Sequence, residues 1–100
     1  MKKLTLHIDA DHPTGAGHFP GNPIIPGALL LAEVLRAIAA AEGMHFASCN
    51  VKSAKFQHPA RPGDSIEIDY SFTPSGALDF KCSVAGTRVL AGLVSAVVHA

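Results

Sequence analysis

Leu4-Thr5-Leu6-His7-Ile8 alternates apolar and polar side chains, the period of a half-buried strand. Asp9 to Pro26 then carries four prolines (Pro13, Pro20, Pro23, Pro26) and three glycines (Gly15, Gly17, Gly21). No regular element runs through such a stretch, because proline removes amide donors and glycine invites turns. A structureless segment of that length is uncommon in a small domain unless it is functional. Gly27 to Glu42 is rich in Ala and Leu, follows Pro26 and stops at Gly43, which predicts a helix. At about 100° per residue, Leu30, Leu31, Val34, Leu35, Ile38 and Ala41 share one face, with Glu33, Arg36 and Ala40 nearly opposite. So wide an apolar stripe suits a helix packed on a sheet.

The remainder reads as strands. His45 to Gln57 is extended and ends in the turn His58-Pro59-Ala60-Arg61-Pro62-Gly63-Asp64. Ser65 to Phe72 alternates with Ile66, Ile68, Tyr70 and Phe72 on one face. Pro74-Ser75-Gly76 turns the chain, Ala77 to Val84 returns, Ala85 to Arg88 turns it again, and Val89 to Val98 forms a final strand. One early helix followed by a four-strand meander predicts a single α+β domain over residues 1–100, with no internal repeat or linker.

Composition adds a constraint. The 100 residues are 48% hydrophobic and 16% charged, with zero formal net charge. Disorder is excluded at that hydrophobic content. The charged share falls well below the usual value of about 25%, so part of the surface is expected to be hidden in an oligomer. Balanced charge without a Lys/Arg cluster gives no footprint for nucleic acid or an anionic membrane. No apolar run approaches the roughly 18 residues of a membrane span, and Met1-Lys2-Lys3 leads into alternation rather than a signal-peptide core. The chain therefore reads as a cytoplasmic, soluble protein. Cys49 and Cys82 lack metal or redox spacing and are expected to be small buried hydrophobes.

Candidate chemistry gathers in Gly17-His18-Phe19-Pro20-Gly21-Asn22-Pro23-Ile24-Ile25-Pro26-Gly27. It places a histidine in a rigid loop just ahead of a helix, where Gly27 allows close approach to the first amides. Those amides lack intrahelical acceptors and sit at the positive end of the helix dipole. A carbonyl held there is polarised, and His18 stands ready to move a proton nearby. The plainer reading is an ordinary loop histidine beside a well-capped helix. Asp9-Ala10-Asp11-His12 reads as a turn or cap rather than a metal site, so no metal is expected. His45, His58 and His99 lie at strand or turn positions and show no partner pattern, although His58, beside Pro59 in the later turn, is a candidate to approach the site.

His18-Phe-Pro-Gly-x-Pro-Ile-x-Pro-Gly27, followed by Ala28-Leu29-Leu30-Leu31, closely resembles the signature of the 3-hydroxyacyl-(acyl carrier protein) dehydratases, the FabA/FabZ-like hotdog family. Lys55-Phe56-x-x-Pro59-x-x-Pro62-Gly63-Asp64 is similar to that family's second recurring turn. The resemblance implies a hotdog fold, a long helix wrapped by an antiparallel sheet, in a homodimer or an oligomer of dimers whose sheets join. It implies an acyl chain in a tunnel at the dimer interface, delivered on the phosphopantetheine of acyl carrier protein or CoA, with no other cofactor. It also implies that His18 takes the C2 proton and Gly27 polarises the thioester carbonyl. Phe19, Pro20, Pro26 and Ala28 would contact the substrate. The implied reaction is dehydration of a 3-hydroxyacyl thioester to the trans-2-enoyl thioester, in fatty-acid or related lipid or polyene biosynthesis.

One position departs from the family pattern. The acid that the family carries fourteen residues after its histidine corresponds to Ala32, and Glu33 follows. One residue turns a helical side chain by about 100°. That rotation sets Glu33 on a different side of the helix from Ala32, so Glu33 is a candidate acid against the helix geometry, with an exposed pair to Arg36 at the surface or interface rim as its plainer reading. Two alternatives accompany dehydration: hydrolysis of acyl-CoA or acyl-carrier thioesters, and a non-catalytic partner subunit lacking the helix acid.

Overall fold

Alternation becomes burial in β3 (Ser65–Phe72), where Ile66, Ile68 and Tyr70 are buried and Glu67 is exposed. The computed structural model describes residues 1–10 and 24–99. Besides β3 these comprise β1 (Lys2–His7), α1 (Gly27–Glu42), β2 (His45–Phe56), β4 (Ala77–Val84) and β5 (Thr87–His99). The helix has the bounds its sequence predicts.

The strands form one antiparallel five-stranded sheet in the order β1-β3-β4-β5-β2. This corrects the four-strand meander. Only β3-β4-β5 meanders, while β2 pairs with the far side of β5 and β1 with the far side of β3. The proline-bearing connector after β2 is responsible. It crosses between the two sheet edges, held by Ile25 N–H to the Ala60 carbonyl at 2.8 Å and Gly63 N–H to the Ile8 carbonyl at 2.8 Å. The β4–β5 turn is tighter than expected, because Ala85 and Gly86 both take positive φ (48° and 84°). That is the combination a two-residue hairpin demands, and β5 accordingly begins at Thr87.

The core lies between α1 and one face of the sheet. Leu30, Val34 and Ile38 pack with Ile66, Ile68, Leu78, Phe80, Leu90 and Val94. Ala39 is buried and Ala41 exposed, the reverse of the even stripe read from periodicity, while Leu31 and Leu35 are only half-buried. The helix therefore leaves one flank, facing β2, incompletely covered. Cys82 is a core residue whose thiol burial pushes up to about 12. Cys49 is exposed on β2, against expectation.

At the other end of the helix Gly43 takes the left-handed conformation, and the Gly43 and Met44 amides return to the Ala40 and Ala39 carbonyls. There the Tyr70 hydroxyl donates to Glu42 Oε2 at 2.7 Å, and Lys2 Nζ donates to both Glu42 oxygens at 2.8 Å. The cluster ties α1 to β1 and β3. Lys2 first, then Tyr70, hold the Glu42 carboxyl below its ordinary range, while burial and the Glu42 bond push the Tyr70 phenol up to about 12. A lowered carboxyl stabilises the fold above its unfolded value and loses that contribution as pH falls through the folded value. A raised phenol contributes below its unfolded value of about 10 and loses that contribution as pH rises toward 12. Urea midpoints measured against pH are expected to fall on both flanks. Glu42→Gln flattens the acid flank, and Tyr70→Phe the alkaline one.

Candidate active site

Two irregularities set the chemistry of β2. Its register against β5 slips between Phe46 and Ser48 and again between Val51 and Ser53. Residues opposite one another on paired strands share a face. Phe56 lies opposite Leu90, Ala54 opposite Gly92, Val51 opposite Val94 and Cys49 opposite Ala96. Leu90 and Val94 belong to the core, so this set faces the helix. Strict alternation from Phe56 would have put Lys52, Asn50 and Ser48 there instead. Each bulge adds a residue and restores an apolar side chain to the concave face. The face remains largely uncovered, with Val51 44% and Phe56 48% exposed. This is the concealable apolar surface that the low charge content implied.

The Phe56 ring lies on the start of α1. A Cβ on Gly27 would sit 3.0 Å from Phe56 Cε1 and 3.2 Å from Cδ1 and Cζ, so glycine lets ring and helix start approach this closely. Beside them is a cavity of about 240 Å³ bounded by Ile25, Pro26, Gly27, Leu30, Phe56 and His58. The first helical bond runs from Leu30 N–H to the Pro26 carbonyl at 3.0 Å, so the preceding amides have no acceptor within the helix. No acidic residue occupies the first turn, which leaves the positive end of the dipole uncompensated by its own side chains. The Ile25–Ala60 bond fixes the approach to the helix and holds the His58-bearing turn against it. A carbonyl oxygen placed here meets backbone donors at a positive helix end.

A second cavity, of about 260 Å³, opens farther along the uncovered flank between α1 and β2. It is bounded by Ala32, Leu35, Arg36, Ala39, His45, Phe46 and Cys49. Ala32, rather than Glu33, borders it. Glu33 Oε1 accepts from Arg36 Nη1 at 2.9 Å, a pair at the helix surface. No carboxylate borders either cavity among the described residues.

His18, Phe19 and Pro20 lie outside the described residues, as do Asp11 and His12. Pro26 and Ala28 are exposed at the helix start, and His58 shares a cavity with Gly27. His45 and Cys49 carried no partner pattern in the sequence, and only their cavity draws notice to them. Among the described residues no group of three His, Cys, Asp or Glu side chains is placed to hold a metal ion. No helix there is long and apolar enough to cross a membrane.

Known proteins resemble this chain in sequence and in fold. The family model described as ApeI dehydratase, ApeI-like, matches residues 1–93. The 3-hydroxyacyl-(acyl-carrier-protein) dehydratase FabZ of Wolbachia pipientis subsp. Culex pipiens is 33% identical over 93 residues, covering 77% of this chain and 65% of the relative. The chain spans only about half of other curated relatives it matches, 51% for the FabZ of Caulobacter sp.. Among solved structures, an uncharacterized protein from Erwinia carotovora subsp. atroseptica superposes with a TM-score of 0.75 at 26% identity, covering 95% of this chain and 81% of that one. The dehydratase heterocomplex ApeI:P from Xenorhabdus doucetiae gives 0.73 at 24% identity, covering 94% and 84%. The fold is a hotdog, one helix packed against an antiparallel sheet. With its helix-start glycine under an aromatic ring and a family match running through the sheet, the chain belongs to the ApeI-like dehydratase family.

Proposed function

We propose that the protein is a cytoplasmic homodimeric enzyme that dehydrates 3-hydroxyacyl thioesters carried on acyl carrier protein or CoA, without a further cofactor. The observation that carries this reading is the cavity at the start of α1, where backbone donors without an acceptor in the helix meet a glycine-backed wall. The thioester carbonyl accepts from those donors. Negative charge gathering on that oxygen is stabilised while His18 takes the C2 proton. The C3–O bond breaks, the hydroxyl leaves as water after gaining a proton, and the C2–C3 double bond forms. The uncovered face of β2 supports pairing with a second copy.

Hydration of a trans-2-enoyl thioester, the reverse reaction, gives a direct test through loss of enoyl absorbance. Turnover is expected from the purified protein. No turnover across acyl chain lengths overturns the reading, and release of free thiol instead replaces it with hydrolysis.

A second reading is favoured by Ala32 and by the absence of any acidic residue from Gly43 to Gly63. In it, β2 pairs with a different chain that supplies a carboxylate; the Xenorhabdus relative is itself named as a heterocomplex. It predicts background turnover from the protein alone and a gain of about 10²-fold or more in Ala32→Glu, the scale of a placed acid. The homodimeric reading predicts an active wild type that Ala32→Glu changes little.

A further inference from the structure

The two cavities lie on one path. β2 runs back along α1 after the turn at Gly43, so Phe56 meets the helix start while Phe46 and Cys49 meet Ala32, Leu35 and Ala39. On the helix, Gly27, Leu31, Leu35 and Ala39 recur every fourth residue and form one row. The row is about 18 Å long at the helical rise. Across from it, the bulges of β2 turn Phe56, Ala54, Val51, Cys49 and Phe46 to the helix side of the sheet.

Charge is kept off this track. Arg36 directs its head group to Glu33 at 2.9 Å and is 69% exposed. His45, opposite His99, lies on the other face of the sheet. Burial pushes the Cys49 thiol up, which keeps it neutral. A second copy paired along the edge of β2 extends the sheet sideways and does not fill the space between β2 and α1. The ligand that matches has one acceptor at the helix-start end and an unbroken hydrocarbon tail. Phe46 is the bulkiest side chain bordering the far cavity, and it packs against the core there.

We propose that the acyl chain of a thioester held at Gly27 runs along this row into the Ala32 cavity, where Phe46 sets the longest chain accepted. The inference rests on the reading that places a thioester carbonyl at the helix start. Ala32 and Leu35 stand about 8–12 Å beyond Gly27 along the helix. The track therefore favours chains that reach them over short ones.

Cys49 reports on occupancy, because it borders the far cavity while Cys82 is fully buried. Iodoacetamide labelling, read by protein mass, is followed with saturated acyl-CoA from butanoyl to hexadecanoyl. Butanoyl-CoA is expected to leave the labelling rate unchanged. Chains that reach Cys49 should slow it about tenfold at ten times their Kd. Calorimetric affinity should rise about threefold to fourfold per methylene and then level off. Phe46→Ala moves that plateau to longer chains, and Phe46→Leu, the milder truncation, moves it less. Equal protection by every chain length, or a plateau that neither variant moves, overturns the inference. Turnover of enoyl thioesters without protection at any length overturns the track and leaves the dehydration reading standing. Protection by long chains without turnover does the reverse, and the absence of both overturns both.

Discussion

Phe80→Ala is expected to lower the free energy of unfolding by about 3–5 kcal/mol, the usual range for an aromatic truncated in a core. The ring is fully buried, and its tip occupies the space left by the missing side chain of Gly92 on the neighbouring strand. A Cβ on Gly92 would lie 2.6 Å from Phe80 Cζ and 3.1 Å from the Ser53 carbonyl oxygen, with neither neighbour free to retreat. Gly92→Ala is therefore expected to cost about 1–3 kcal/mol through overpacking. In the Phe80→Ala background most of that cost should disappear, because the obstruction is gone. Urea unfolding at unchanged m-value reads all four corners of the cycle. Additive effects would show that ring and glycine do not share this space. Against a total stability of about 5–15 kcal/mol for such domains, loss of the ring removes much of the margin.

The largest effect on activity is expected from His18→Ala, a fall of about 10²–10⁴-fold in kcat for enoyl-thioester hydration, the scale of a lost acid–base group. Binding of a saturated acyl thioester should survive, because the amides at the start of α1 remain. Gly27→Ala should behave differently. The added methyl presses on the Phe56 ring at 3.0–3.2 Å, but that ring is 48% exposed and can swing away. The unfolding midpoint is then expected to change little while kcat/KM falls, since the same methyl narrows the approach to the amides. Equal loss of stability and activity in Gly27→Ala would place its effect in the fold rather than in the site. A His18→Ala protein with wild-type kcat would remove the histidine from the chemistry.

Local pattern carried much of this architecture. Pro26 and Gly43 bracket α1, and β3 and β4 have the bounds their alternation and flanking turns indicate. Strand order was less legible, because hairpins between sequence neighbours are the simplest inference while the connector after β2 crosses the sheet. The face of β2 was not legible at all. Period-2 alternation assumes an unbroken ladder, and the slips at Phe46/Ser48 and Val51/Ser53 depend on pairing with β5, which is distant in sequence. The helix-start half of the site was readable because motif and glycine are contiguous. His45 and Cys49 were not, since they meet Ala32 only through tertiary packing.

The two slips in β2 also determine where this strand can change length. Ala47 and Lys52 are the residues passed over in its pairing with β5. Removing either would straighten the ladder locally and leave every remaining side chain on its present face. Removing Asn50 or Ala54 would instead exchange polar and apolar faces along the adjoining segment. Related chains can therefore differ by a residue at these two places and still line the same groove, so an alignment without gaps through this strand would equate inward with outward residues.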